Sequence, residues 1–370
     1  MDKGRISSMQ MGMMMYLSII ATAILTVPSI TAKYAKQDLW LSPIWASIVG
    51  FLTIIIIIHL SKRFPQQTFF QICEQTIGKL TTKFLGLLYF IFFLVATGQI
   101  TRTYAEFIKI FFAKTPVSVI MITMLILSAF TVIAGIEVIG RVAQFFFPIF
   151  VFSVFIIIFL LIPQLEPNNL LPVLENGLLP SLKGAIVPQI WFGEFFIMIF
   201  LLPSLSDSRK GMRWGIITIL MVLVTFIIIN LTVLFILDQN TEFYVYPFLS
   251  ATQLVNLGDY IENIDPIIIA LWILGTFIKT TVFYYVTILT AAQWLNLSDY
   301  KPLVWPLGIL IVEVSFWAVP NLMVNSHLDI AVFPLLFPIM QTIIPLMLLL
   351  VVLIKRKLKN LESIKLRGYE

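Results

Sequence analysis

The sequence predicts an all-α integral membrane protein with ten transmembrane helices. Apolar residues make up 59% of its 370 residues, and charged residues make up only 12%. A soluble domain has about 25% charged residues, so this composition excludes the ordinary soluble classes. Ten apolar runs reach the length of about 20 residues that a helix needs to cross the hydrocarbon layer.

The predicted spans divide into two halves. They are Met9–Ile30, Leu41–Leu60, Phe84–Phe112, Val117–Val138, Val142–Ile162, Ala185–Leu205, Trp214–Leu237, Pro266–Trp294, Leu303–Pro320 and Ile330–Ile354. Because five is an odd number, a second set of five spans enters the membrane from the opposite side. We therefore expect one transmembrane domain (1–370) with a 5+5 inverted repeat: repeat one at about 9–162, repeat two at about 185–354, and a basic cytoplasmic tail at 355–370.

Basic residues indicate which side of the membrane is cytoplasmic. The loops that contain Arg63, Arg141, Arg213 and Lys301 lie on the same side as the basic tail. The opposite side has only Lys33, Lys36, Lys114 and Lys183. The positive-inside rule then places both termini in the cytoplasm. Basic loops explain the net charge of +5, and no basic face with interleaved aromatic residues indicates nucleic-acid binding.

Glu194 occupies the position where a charged side chain is most costly. It is the tenth residue of Ala185–Leu205, about 15 Å into a hydrocarbon layer of about 30 Å. Pro188 and Gly193 favour an interrupted helix around it. An acid at this depth indicates a binding site, or else a structural acid tied to a neighbouring helix. We predict that Gly193 and Glu194 belong to a small-molecule site.

Lys279 lies near the middle of the eighth predicted span and is the expected ion-pair partner of Glu194. An unpaired ammonium group would be equally costly at that depth. The alternative is that Lys279 only anchors its own span to a neighbour.

A stripe of hydroxyl groups follows one face of the eighth span. Its members are Thr276, Thr280, Tyr284 and Thr287. Such a stripe can coordinate a ligand or an ion, and it can equally bond its own backbone or a packed neighbour. Thr280, Tyr284 and Thr287 are candidate ligand-binding residues on the first interpretation.

The first span resembles the sixth in carrying helix-breaking residues. Thr22 and Thr26 precede Pro28, and two interrupted spans at matching positions are typical of a transporter binding site. If the first span is broken there, free amide groups would favour a carboxylate. The alternative is a proline kink whose freed carbonyls bond the threonine hydroxyls. We predict broken helices one and six, with Thr22 and Thr26 as ligand-binding residues.

The third span carries polar residues near its outer end. Arg102 and Glu106 stand four residues apart, which predicts a structural ion pair at the mouth of the site. Tyr104, between them in sequence, is a further candidate ligand-binding residue.

Little in the sequence suggests catalysis. Cys73 is the only cysteine, and His59 and His327 lie at opposite span ends. No nucleophile–base pair or metal-ligand cluster can be assembled from the spans. We expect no enzyme, no metal site and no cofactor.

Several stretches resemble one family of membrane proteins. They are Thr22-Ala23-Ile24-Leu25 with Pro28, Gly135-Ile136-Glu137-Val138-Ile139-Gly140-Arg141, Leu171-Pro172-Val173-Leu174 with Gly177 and Pro180, Phe192-Gly193-Glu194-Phe195, Tyr246-Pro247 and Phe277-Ile278-Lys279. The chain resembles the B subunits of bacterial spore germinant receptors, the endospore germination permeases. These belong to the amino acid–polyamine–organocation superfamily, so the resemblance implies an amino acid transporter-like fold.

The resemblance also implies a function. It implies a nutrient-sensing subunit in the inner membrane of the spore, which binds a small amino acid between spans one, three, six and eight and signals to A-type and C-type receptor subunits. Membrane lipid is the other expected partner, and nucleic acid is not. The alternative is a proton- or sodium-coupled amino acid permease. The fifth span contains no lysine, which disfavours one mode of proton coupling found in the superfamily.

Overall fold

The computed structural model describes residues 4–254, 264–320 and 322–367. In these residues the α-helices are α1 (Ser8–Ala35), α2 (Ser42–Arg63), α3 (Phe69–Ile77), α4 (Lys79–Phe111), α5 (Val117–Ala134), α6 (Ile136–Leu161), α7 (Leu179–Gly184), α8 (Gln189–Gly193), α9 (Met198–Leu201), α10 (Gly211–Leu237), α11 (Pro247–Thr252), α12 (Asp265–Trp294), α13 (Val304–Ala318), α14 (Leu322–Ala331), α15 (Phe333–Pro338) and α16 (Ile344–Arg367). The prediction of an all-α protein is confirmed.

The predicted spans all correspond to apolar helical stretches. Eight helical segments in the described part of the chain are long and apolar enough to cross a membrane. One of these, Ser8–Arg63, contains the first two predicted spans, joined by the 3-10 turn Lys36–Leu41. The sixth predicted span is the shorter apolar run Gln189–Ser204. The last three residues of the predicted tail lie outside the described residues.

The sixth span is interrupted, as its sequence predicts. After α8 the backbone tightens into a 3-10 turn at Glu194–Ile197, returns to one α-turn in α9, and ends in a second 3-10 turn at Leu202–Ser204. Pro188 and Pro203 at the two ends lack the amide hydrogen that a continuous helix would use. Glu194 is therefore the first residue of an irregular turn.

The first span differs from its prediction, because α1 is helical from Ser8 to Ala35 with Pro28 inside it. Hydroxyl groups near Pro28 bond to backbone carbonyls. Thr31 Oγ1 donates to Val27 O at 2.8 Å, and Ser29 Oγ donates to Thr26 O at 3.1 Å. Serine and threonine can stabilise a proline-containing helix inside a membrane in this way. The kink alternative is thus closer to the structure than a broken first helix.

The tenth span carries an interruption that the sequence analysis does not predict. A π-helical turn at Ile339–Ile343 separates α15 from α16. Gln341 in this turn is buried and faces Gly193, and a β-carbon on Gly193 would lie 2.3 Å from Gln341 Oε1. The interrupted sixth and tenth spans can therefore pack closely at Gly193, because this residue has no side chain.

The core surrounds the most deeply buried helices, α1 and α12. The C-terminal half of α12, from Ile278 to Gln293, is buried throughout. It packs on α4, α1 and α5, and α1 packs in turn on α10 and α6. Such a position explains why the polar residues of α1 and α12 face protein partners.

Candidate functional site

A cavity of about 210 Å³ lies between α1, α4, α8, α12 and the α14–α15 segment. Its floor includes Thr22, Glu194 and Lys279, and its mouth includes Lys33 and Tyr244. Lys33 and Tyr244 are exposed, so the cavity opens on the side that the basic residues predict to be outer. Given that a water molecule occupies about 30 Å³ of liquid volume, this space suits a small polar molecule.

Glu194 and Lys279 form a salt bridge at the cavity floor. Lys279 Nζ lies 2.7 Å from Glu194 Oε1 and 3.0 Å from Oε2, and the two side chains are 2% and 4% exposed, respectively. The ammonium group also lies 5.4 Å from the centre of the Phe283 ring. Two opposite charges at mid-membrane thus neutralise each other and join α12 to the irregular turn of the sixth span.

Thr22 connects this pair to the first span. Its Oγ1 accepts one hydrogen bond from Lys279 Nζ at 2.8 Å and another from Trp191 Nε1 at 2.9 Å. A hydroxyl group has two acceptor positions and one donor hydrogen. With both acceptor positions filled, the Thr22 hydroxyl keeps a hydrogen that a ligand acceptor in the cavity can receive.

Thr26 also lines the cavity, one turn beyond Thr22. Its Oγ1 lies 3.4 Å from Thr22 O, a long hydrogen bond that a ligand can replace. The structure therefore brings four of the predicted site residues together in the cavity lining: Thr22, Thr26, Glu194 and Lys279. Their binding of a ligand stays a prediction.

The other predicted ligand-binding residues lie outside the cavity wall. Gly193 faces Gln341, and Tyr104 and Thr280 are buried and do not line the cavity. Tyr284 OH donates to Val304 O, and Thr287 Oγ1 bonds Phe283 O at 2.8 Å and Thr97 Oγ1 at 2.9 Å. The hydroxyl groups of Tyr284 and Thr287 therefore bond backbone and neighbouring helices. This is the alternative to ligand binding that the sequence left open for the stripe.

A polar group of residues at the outer half of the cavity was missed by the sequence analysis. Gln99 Nε2 donates to Asp329 Oδ1 at 2.9 Å, and Asn325 Nδ2 donates to Asp329 Oδ2 at 3.2 Å. All three residues line the cavity. Asn325 and Asp329 stand four residues apart on α14, and this spacing is the signal that was available in the sequence.

Burial dominates the electrostatics of this outer half. α14 precedes the last membrane-spanning segment, Phe333–Lys357. Burial raises the pKa of Asp329 to about 7, although the hydrogen bond from Gln99 acts in the opposite direction. Burial also raises the pKa of Tyr246, in the loop before α11, to about 12, and the charges of Glu106 and Asp329 add to that rise.

The predicted ion pair at the mouth is confirmed. Arg102 Nη2 lies 2.7 Å from Glu106 Oε1, and the same Nη2 donates to Pro320 O at 3.0 Å. The Arg102 guanidinium group also lies 4.9 Å from the centre of the Phe316 ring. Arg102 Nη2 thus joins α4 to the segment that follows α13.

An aromatic cluster closes the cavity on the predicted cytoplasmic side. It consists of Phe69, Tyr89, Phe93, Phe196 and Phe200, with ring centres 5.3 Å apart for Tyr89 and Phe196 and 5.4 Å apart for Phe93 and Phe200. The Phe93 ring contacts Phe283 of the cavity wall at 6.3 Å between centres. A polar molecule that enters from the mouth would meet this dry layer below Glu194.

No metal site is found within the part of the chain that the structure covers. In those residues no group of three or more His, Cys, Asp and Glu side chains is placed to hold a metal ion. The cavity lining presents charged, hydroxyl and amide groups.

Comparisons with known proteins agree with this architecture. A family model described as spore germination protein matches residues 5–323. The chain is 23% identical over 368 residues to spore germination protein KB of Bacillus subtilis (strain 168), covering 96% of this chain and 97% of that protein. It is 24% identical over 255 residues to spore germination protein A2 of the same strain, covering 68% of this chain and 70% of that protein.

A solved transporter structure is similar in fold to this chain. The substrate-bound outward-open state of a Na+-coupled sialic acid symporter matches with a TM-score of 0.60 and 15% sequence identity, over 89% of this chain and 80% of that chain. This likeness shows a transporter-like fold. Since the family model covers most of the sequence, the chain belongs to the spore germination permease family of integral membrane proteins.

Proposed function

We propose that the protein is a nutrient-sensing subunit of a spore germination receptor. It binds a small amino acid in the cavity among spans one, three, six and eight, and it passes the binding event to A-type and C-type partner subunits. Its place is the inner membrane of the spore, with both termini in the cytoplasm. Membership of the spore germination permease family supports this role.

The observation that carries the proposal is the contact among Thr22, Lys279 and Glu194 at the cavity floor. One ammonium group ties α1, α12 and the irregular sixth span together. A ligand carboxylate that takes the Thr22 hydrogen, or competes for Lys279, changes how strongly these three elements are held. Binding can therefore shift the population between two packings of the spans, and partner subunits can read that shift.

The test is equilibrium binding of radiolabelled amino acids to the purified full chain in lipid nanodiscs. Thr22→Val should weaken binding about tenfold, because a hydrogen bond to a charged ligand group is lost. Thr123→Val is the matched control, since Thr123 is exposed on α5 and bonds only its own helix at Val119 O. Thr22→Val binding equal to that of the wild type would contradict the proposal.

An amino acid permease is the second candidate function. The transporter-like fold, with its cavity open to one side and a dry aromatic cluster on the other, favours it. Reconstituted protein that accumulates a labelled amino acid against its gradient, driven by a proton or sodium gradient, would support transport. Binding without flux, together with co-purification of partner subunits, would support the receptor.

A further inference from the structure

The cavity wall contains more carboxylates than its internal ion pairs neutralise. Glu194 is paired with Lys279, and Glu242 is paired with Lys36, whose Nζ lies 2.7 Å from Glu242 Oε2. Asp329, in contrast, has no cation within salt-bridge distance among the described residues. Its carboxylate is one of the groups that line the cavity.

The neighbours of Asp329 are neutral donors. Gln99 and Asn325 each supply one hydrogen bond, at 2.9 Å and 3.2 Å. An ionised carboxylate offers about four acceptor positions, so two stay open. Asn325 is held in place from a second side by Thr103, because its Nδ2 lies 3.4 Å from Thr103 Oγ1.

The nearby cations do not satisfy this carboxylate. Arg102 Nη2 contacts Glu106 and Pro320 O, and no nitrogen of Arg102 lies within salt-bridge distance of Asp329. Lys33 lines the mouth of the cavity and is exposed, so water solvates its ammonium group. A half-buried carboxylate that faces a cavity without a cationic partner attracts a cation from solution.

We propose that Asp329 binds the ammonium group of the ligand, with Gln99 and Asn325 as positioning residues. The inference rests on the proposed function and deepens it, since it names the charged group that a ligand must carry. The Thr22 hydroxyl, which has a hydrogen to donate, lies at the floor of the same cavity and binds the ligand's acceptor group. The cavity thus selects molecules with an ammonium group at one end and a hydrogen-bond acceptor at the other, as in a zwitterionic amino acid.

The test uses the full chain in nanodiscs with three probes of similar size. These are L-valine, isovalerate, which lacks the ammonium group, and isobutylamine, which lacks the carboxylate. Thermal stabilisation and competition against the labelled amino acids measure binding. We expect L-valine to bind at least about tenfold more tightly than isovalerate, because one charge-assisted contact is worth that factor or more.

Asp329→Asn keeps the shape of the side chain and removes its charge. It should weaken binding of the ammonium-bearing probes about tenfold to a hundredfold and leave isovalerate unchanged. Asp329→Glu, which restores the charge, should recover part of the affinity. The melting temperature of each variant without a probe identifies any loss that comes from misfolding.

The outcomes separate this inference from the proposed function. If Thr22→Val weakens amino acid binding and Asp329→Asn does not, the amino acid site stands and the role of Asp329 is overturned. If isobutylamine binds in an Asp329-dependent way and no amino acid binds, the role of Asp329 stands and the amino acid receptor is overturned. Isovalerate that binds as tightly as L-valine also overturns the role of Asp329.

Discussion

Lys279 Nζ lies 2.7 Å from Glu194 Oε1, so a single buried ion pair joins α12 to the irregular turn of the sixth span. The same nitrogen lies 2.8 Å from Thr22 Oγ1 and extends the contact to α1. These three elements meet at the floor of the cavity.

Removing one partner of the ion pair should destabilise the protein strongly. Glu194→Gln or Lys279→Met alone should lower the free energy of unfolding by about 3–5 kcal/mol, because the remaining charge is left buried without a partner. The double variant should lose much less than the sum, since no charge is left alone. Equilibrium unfolding in detergent measures the effect, and strictly additive losses would contradict direct pairing.

The cavity should be accessible from one side only. A cysteine at Thr26 in a Cys73→Ala background should react with a membrane-impermeant maleimide from the predicted outer side. Adding Phe196→Ala should allow reaction from the other side as well, because it removes a ring from the aromatic cluster. A cysteine at Thr123, exposed on α5, is the control and should react slowly from both sides. Equal reaction of the Thr26 cysteine from both sides without Phe196→Ala would contradict a closed inner side.

Binding of an ammonium-bearing probe should depend on pH through Asp329. Burial raises the pKa of Asp329 to about 7, so the carboxylate is mostly charged at pH 8 and mostly neutral at pH 6. Because the charged form attracts the ammonium group, affinity should fall about tenfold for each pH unit below that pKa. Isothermal titration with isobutylamine between pH 5.5 and 8.5 measures the slope.

Other groups near Asp329 also carry charge or titrate, so the pH slope needs a control. The charged or titratable side chains that face this half of the cavity or lie beside it are Lys33, Arg102, Glu106, Glu242, Tyr244, Tyr246 and His327. Asp329→Asn removes the carboxylate and leaves all of these in place. A pH slope that is unchanged in Asp329→Asn would assign the titration to another group.

Part of this site could be predicted because a charged side chain in the middle of a membrane has few ways to be stabilised. Glu194 and Lys279 are an acid and an amine that lie deep in their spans, and each needs a partner. The break in the sixth span could be predicted because Pro188 and Pro203 remove amide hydrogens from the ladder. The boundaries of the two repeats stay a prediction.

Other features depend on tertiary contacts that local patterns do not record. α1 continues through Pro28 because nearby hydroxyls bond its carbonyls, and the π-helical turn near Gln341 packs against Gly193. Thr287 lies on the predicted stripe, yet the packing of α12 against α4 directs it to Thr97. Asp329 joins the site because α14 folds over the mouth, a placement that its own sequence does not specify.

The most direct test of the account is ligand protection inside the cavity. Ser29 lines the cavity, and Lys114 is exposed outside it, so in a Cys73→Ala background Ser29→Cys reports on the cavity and Lys114→Cys is the control outside it. A saturating amino acid should slow maleimide labelling of Ser29→Cys several-fold and leave labelling of Lys114→Cys unchanged. An amino acid that binds measurably without protecting position 29 would place its site elsewhere and contradict the account.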